Sequence, residues 1–219
     1  MSADELASDA AASGLMLLGA ARPVADDPVP DGTRSILLLG PGPDFWDVLT
    51  GSPEYRDGMA DPVDRWSRRT VTGLAQRHGG TPLFPFGGPP WLPFIRWAQD
   101  SGRTHLSPVG LLVHAETGLF VSFRGAVALP GAGPDLPPLP RPCDRCATQP
   151  CRTACPVGAL GGGTYDLPRC HAFLDTPDGT PCLSRGCAVR RACPVGAGLR
   201  PEAQSAHHMA AFHPKGEGG

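Results

Sequence analysis

All eight cysteines of this chain fall between positions 143 and 193. They form two runs, C-D-R-C-A-T-Q-P-C-R-T-A-C-P from Cys143 to Pro156 and C-L-S-R-G-C-A-V-R-R-A-C-P from Cys182 to Pro194, with Cys170 between them. The hexapeptide A-C-P-V-G-A occurs at 154–159 and again at 192–197, an internal repeat. Each run therefore closes on Cys-Pro, and proline suits the first turn of a helix, where its missing N–H costs nothing. The stretch is short and poor in large apolar residues. Its folding is expected to be coupled to whatever its thiols bind.

The spacing predicts two cubane iron–sulfur clusters. A cubane takes four thiolates in a tetrahedral array, and one tight loop supplies about three of them. Cys143, Cys146 and Cys151 line one loop, while Cys155 falls on the following turn and points to the other cluster. By the same crossing rule Cys193 returns to complete the first set. The second set is then Cys155, Cys170, Cys182 and Cys187, and no cysteine is left over. Structural zinc is the competing reading, although only Cys143 and Cys146 have the C-x2-C spacing of a zinc knuckle. Disulfides would require an oxidising compartment and usually an export signal.

The rest of the 219 residues suffices for one further substantial domain. Net charge is −2, with no basic run to suggest nucleic acid. Acidic Asp4, Glu5 and Asp9 precede the apolar 15–18 stretch, the reverse of a signal peptide. No apolar run reaches the length of a membrane span. A reducing, cytoplasmic location is the expectation. The 29 glycines and 27 prolines concentrate in turns, a linker and the cysteine loops.

Residues 1–19 are expected to hold a short helix, and 20–32 a loop. The apolar run 35–39, ended by Gly-Pro-Gly-Pro, reads as a buried strand. The clearest helix is predicted over 61–78, with Asp61 at the N-cap, Pro62 at the first position and Gly79-Gly80 at the exit. Phe84, Phe86 and Trp91 follow in a loop. Residues 109–113 and 119–123 read as a β-hairpin about the Glu116-Thr117-Gly118 turn, extended by 126–129. A proline-rich linker spans 131–142. The resulting division is an N-terminal helix and loop (1–32), an α/β domain (33–130), the linker, a cluster domain (143–198) and a tail (199–219) carrying His207, His208 and His213.

Residues 143 to about 198 resemble the bacterial two-cluster ferredoxins. They depart from that family in having four residues between Cys146 and Cys151, and in the position of Cys170 far upstream of Cys182. The segment G-L-L-V-H-A-E-T-G-L-F-V-S-F-R-G-A-V-A-L-P-G at 110–131, followed by P-D-L-P-P, resembles the cobalamin-processing chaperones, which strip the upper axial ligand from cobalamin. The matching positions are His114, Gly118, Phe120, Arg124, Gly125, Val127, Leu129, Pro130, Gly131 and 134–138. The same segment is similar to the one preceding the cluster domain of epoxyqueuosine reductases, and the order of hairpin, linker and cysteine runs agrees with theirs. The chain is short for that family and has neither its helical-repeat tail nor a basic surface for tRNA.

The resemblance implies a nitroreductase-like α/β domain that holds a corrinoid, followed by a dicluster ferredoxin-like domain. The function it implies is reduction of a bound cobalamin by the clusters, to remove its upper ligand or to reduce a small substrate. An electron donor protein or reductase would be the partner. Arg124 is the candidate contact for an acidic corrinoid group, His114 a candidate ligand, Phe86 and Trp91 an apolar wall, and Asp100 the candidate proton donor. The alternative is a ferredoxin-type carrier whose N-terminal domain only docks a partner. No Ser/His/Asp set, zinc-protease motif or phosphate-binding loop is present.

Overall fold

The computed structural model of the chain describes residues 3–161 and 164–214. In order, its elements are α1 (Ala3–Ala12), β1 (Leu15–Ala21), β2 (Ser35–Pro41), α2 (Phe45–Thr50), α3 (Pro53–Arg56), α4 (Pro62–Arg77), β3 (Thr81–Leu83), α5 (Phe94–Asp100), β4 (Thr104–Leu106), β5 (Leu112–His114), β6 (Gly125–Leu129), α6 (Leu167–Leu174), α7 (Thr180–Arg185), α8 (Ala188–Arg191) and α9 (Glu202–Phe212). The chain is a mixture of helices and small antiparallel sheet. It divides into two units that interleave along the sequence. The first takes Met1–Thr104 and Ser122–Leu139, the second His105–Val121 and Pro140–Gly219.

In the first unit an antiparallel sheet of order β1-β2-β6-β3 is built around β2. Its run Ile36–Leu37–Leu38–Leu39 is fully buried, which is why it reads as continuously apolar rather than alternating. Leu37 pairs with Val127 and Leu39 with Gly125. Leu37, Leu39, Val127 and Leu129 share one core with Leu6 and Ala10 of α1 and with Trp66, Val71 and Leu74 of α4. Trp66 meets Phe45 edge-on, with ring centroids 5.2 Å apart. Elsewhere α5 packs on β1 and β2 and buries Trp97 and Ala98 completely.

Helix α4 lies where the sequence places it. Pro62 opens it and Asp61 holds the N-cap position, but Asp61 is left-handed (φ 53°) and its side chain caps nothing. The exit is a Schellman turn: Gly79 is left-handed (φ 64°), and the Gly80 N–H donates to the Ala75 carbonyl at 2.8 Å.

Four segments differ from the sequence expectation. Residues 15–21 form β1 rather than the end of a helix, because Leu15–Ala21 finds a ready partner in β2. Thr81–Leu83, expected as loop, adds β3 to the sheet edge. The hairpin about Gly118 shrinks to one bridge, His114 with Gly118. Its first arm, β5, instead forms a two-stranded sheet with β4, and 126–129 joins the other unit's sheet as β6. The Leu119 and Phe120 carbonyls accept from Arg190 and Arg200 instead of a strand ladder. Finally, 131–139 packs on the first unit: Leu139 N–H donates to the Gly102 carbonyl at 3.0 Å, and the Pro137 carbonyl accepts from Arg103 at 3.1 Å.

Short α3 is fixed to α4 through Glu54, whose carboxylate accepts from Arg69 Nε at 2.5 Å and Nη2 at 3.0 Å. The Arg69 hydrogen bonds, helped by backbone and Ser52 donors, outweigh desolvation and pull Glu54 from its ordinary 4.5 down to about 2. A depressed carboxylate contributes stability that is complete above its unfolded value and is lost as pH falls through the folded one. We therefore expect the first unit to lose this contribution between about pH 4.5 and about pH 2. All four tryptophans lie in that unit, so urea unfolding followed by their fluorescence reads it selectively. Glu54→Gln should be less stable than wild type at pH 7, and the two should converge toward pH 2.

Candidate metal centres in the second unit

Two short 3-10 turns set the first quartet. Pro142–Arg145 carries Cys143, and the Cys146 N–H closes the turn on the Cys143 carbonyl at 3.3 Å. The four residues between Cys146 and Cys151 are absorbed by left-handed Gln149 (φ 39°), after which Pro150–Arg152 brings Cys151 back to the same side. The Gln149 amide reaches the Cys143 carbonyl at 3.4 Å and ties the two turns together. Cys193 arrives from the far run at the end of α8, its N–H donating to the Arg190 carbonyl at 3.2 Å. Cys143, Cys146, Cys151 and Cys193 line one hollow of about 350 Å³, solvent at its mouth included. Val113, Leu119 and prolines make up most of its remaining wall.

The second quartet draws on four places. Cys155 closes the first run, Cys170 lies within α6, Cys182 within α7, and Cys187 precedes α8. Together they line a second hollow of about 650 Å³, again counting open solvent. The structure thus brings the cysteines together in the two sets that the spacing predicts. Gly158 and Gly196, the glycines of the repeated A-C-P-V-G-A, are both left-handed (φ 65° and 72°), so the repeat is one of backbone shape as well as sequence.

Each hollow is lined by thiols with no histidine or carboxylate among its four sulfur donors. Among the described residues, no group of three or more histidine, cysteine or acidic side chains is gathered so as to hold a single metal ion. The sulfurs instead surround a space. Burial pushes the Cys143, Cys151 and Cys170 thiols above their ordinary value, and neighbouring cysteines of the same quartet push in the same direction. Binding a metal group here must displace those protons.

Contacts to sulfur come from groups that the sequence reading left out. The Ala159 N–H donates to Cys155 Sγ and the Tyr165 hydroxyl to Cys170 Sγ, each at 3.2 Å. Burial is the main cause, and the bond to Cys170 the next, that holds the Tyr165 phenol protonated well above its ordinary range. The stretch after 199 is no loose tail: α9 contributes His208, Met209 and Phe212 to the wall of the second hollow. His213 is held between His171 Nδ1 and Asp175 Oδ1, each at 2.8 Å. Low amphipathicity hides α9 in the sequence. Tyr165, five residues ahead of a cysteine, was the signal available.

The other candidate residues are scattered. His114 is fully buried, and its Nδ1 accepts from the Glu116 and Thr117 N–H groups at 3.1 and 3.3 Å, the work of a packed turn histidine. In the first unit Arg124 pairs with Asp64 at 3.4 Å. Burial lowers the Arg124 guanidinium and raises the Asp64 carboxyl, while their mutual attraction opposes both shifts. Arg68 lies over the rings of Phe84 and Phe86, 5.1 and 5.4 Å from their centroids, and its charge reaches Asp64 too. Phe86 and Arg124 therefore belong to one neighbourhood. Trp91 follows on the Phe86 loop, 65% exposed. Asp100 is elsewhere: it pairs with Arg96 at 2.9 Å and lines an open hollow of about 1950 Å³, solvent included, beside Arg22, Arg34 and Asp135.

Compared with known proteins, the chain matches no family model and no curated sequence. Among the described residues no helix is long and apolar enough to cross a membrane.

The turn at Gly118 lies close against the first quartet. Gly118 is left-handed (φ 58°), and a Cβ there would lie 2.0 Å from the Val195 carbonyl oxygen and 3.1 Å from Cys193 Sγ. Gly158 shares the left-handed backbone but has nothing within 4 Å of such a Cβ. Gly158→Ala should cost only the backbone penalty, about 1 kcal/mol. Gly118→Ala should cost more, roughly 3 kcal/mol, because the 193–196 backbone must also move. Amide hydrogen exchange across residues 105–121 and 193–197 measures both, and equal effects would refute the assigned contact.

Proposed function

We propose that this chain is an iron–sulfur redox protein in which each cysteine quartet holds one 4Fe–4S cluster and the first unit holds the electron acceptor, a cobalamin. The observation that supports it best is that eight cysteines separate, with none left over, into two sets lining two hollows. The donor set fits the group, because cubane clusters are held by four thiolates. When bound, the clusters supply single electrons at a potential set by their surroundings.

The chain's own residues do the rest. The 3-10 turns and left-handed Gln149 aim three sulfurs from one short segment, and α8 delivers the fourth. Leu119, Leu160 and Val189 pack with Cys151, Cys143 and Cys193 in one apolar cluster. In the first unit we assign the corrinoid to the open hollow lined by Arg22, Arg34 and Asp100, where reduction would labilise its upper ligand or drive reduction of a small substrate. A donor protein or reductase would load the clusters from a reducing, cytoplasmic pool.

A second reading has its own support. Arg124 and Phe86 already have internal partners, His114 is spent on its turn, and Asp100 is ion-paired. If the first unit takes no ligand, the protein is a ferredoxin-type carrier and that unit docks a partner.

Anaerobic reconstitution with iron and sulfide should give about eight irons per chain. Pairing two lesions tests the sharing of ligands between runs. Cys143→Ala with Cys193→Ala should retain about four irons, because both lesions fall on one centre. Cys143→Ala with Cys155→Ala should retain almost none, though both lie in the same run. Titration with hydroxocobalamin, followed by absorbance and EPR, then separates the readings: a spectrum that shifts on binding and is reduced with the clusters supports the cobalamin reductase, and no response leaves the carrier. Zinc in place of iron would overturn both.

A further inference from the structure

We infer that the Tyr165 hydroxyl sets the reduction potential of the centre held by Cys155, Cys170, Cys182 and Cys187, by donating a hydrogen bond to one of its ligand sulfurs. The inference rests on the two-cluster reading above and adds a residue that the spacing of the cysteines does not disclose.

The geometry is specific. Tyr165 Oη lies 3.2 Å from Cys170 Sγ, and of the chain's two tyrosines it is the one that lines this hollow. Its ring lies nearly parallel to that of Phe212, with 7° between their planes and 6.4 Å between centroids. Phe212 in turn packs against His171, beside Cys170. The phenol is therefore held on two sides, by its hydroxyl at the sulfur and by its ring against α9. Donation runs from the O–H to the sulfur.

An electron added to a cluster spreads over its sulfurs, so the reduced state is the better hydrogen-bond acceptor. A fixed donor stabilises that state more than the oxidised one and raises the potential. Tyr165 acts through Cys170 rather than on the cluster itself. The Ala159 N–H on Cys155 works in the same sense but belongs to the backbone and is left in place by any change at Tyr165. Arg190 also lines the hollow, where it donates to the Leu119 carbonyl, and is left in place by any change at Tyr165. Among the described wall residues of the first hollow, the hydroxyl of Ser107 is engaged with the Leu111 N–H as acceptor, and no tyrosine is present.

Tyr165→Phe keeps the ring and its stacking while removing the donor. In the reconstituted protein it should retain about eight irons. A redox titration followed by EPR should show one centre harder to reduce by about tenfold in its reduction equilibrium, about 59 mV for one electron, with the other unmoved. If both potentials stay at their wild-type values with iron content intact, the inference is wrong and the two-cluster reading stands. Failure of the wild-type chain to take up iron would sink the two-cluster reading itself. Should Tyr165→Phe lose half its iron, a gain-of-donor protein decides. Tyr55→Phe made with 3-fluorotyrosine carries the label at 165 alone, and the more acidic phenol is a stronger donor. One potential should then rise; no rise would overturn the inference.

Discussion

Four sulfur atoms facing one small space are unstable in either protonation state. As thiolates they repel, and as thiols they leave weak polar groups lining an apolar wall. The raised values of Cys143, Cys151 and Cys170 record the first problem, because burial and the neighbouring sulfurs both oppose ionisation. The cores of the second unit show how much depends on resolving it. One consists of Val109, Val113, Leu119, Leu160 and Val189 closed around Cys151, and another of Leu174 and Met209 closed around Cys182. Neither approaches the first unit's core of α1, β2, α4 and β6 side chains in size. The second unit is organised around its sulfur-lined hollows, and a bound group that neutralised the sulfurs would contribute directly to its folding free energy.

Exchange of one cysteine between the two runs has a mechanical consequence. Cys155 belongs to the first run but lines the second hollow, and Cys193 does the reverse. A cluster bound by either quartet, as proposed, would tie together segments distant in sequence, much as a disulfide closes a long loop. Residues 105–121 take part in the same closure: Thr117 backs onto Gly196, Gly118 onto Val195, and the Leu119 and Phe120 carbonyls accept from Arg190 and Arg200. A segment that reads as the end of an N-terminal domain is thus structural material of the cysteine unit.

Features encoded over a few residues were legible in the sequence. Helix α4 announced itself by Pro62, its periodic apolar face and Gly79-Gly80; β2 by its uninterrupted aliphatic run; and the two quartets by spacing alone. What escaped was decided by partners far away. Leu15–Ala21 has the short apolar character that fits helix or strand equally, and pairing with β2 decides it. Residues 119–123 have strand composition, yet their carbonyls serve arginines from beyond position 189. Helix α9 shows little amphipathic contrast because it buries polar Gln204 and Ser205 beside Met209. The sites proposed by resemblance fared unevenly for the same reason: motif residues such as His114 and Arg124 are conspicuous in sequence, but their partners, two backbone N–H groups and Asp64, show what each one does locally.

Repetition of A-C-P-V-G-A suggests two equivalent centres, but their surroundings are not equivalent. The first hollow is walled by β5, the 3-10 turns and prolines, and the charges of Arg141 and Arg152 reach Cys143 and Cys151. The second adds a phenol, a half-buried Arg190 and the aromatic face of α9, all supplied by residues outside the repeat. Potential depends on hydrogen bonds to sulfur, nearby charge and exposure, and each of these differs between the two. If each quartet holds a cluster, as proposed, a chain that repeats its ligand spacing but walls the two hollows differently would hold two electrons at unequal energies. That inequality would give one-electron transfer a preferred direction, which two identical centres would lack.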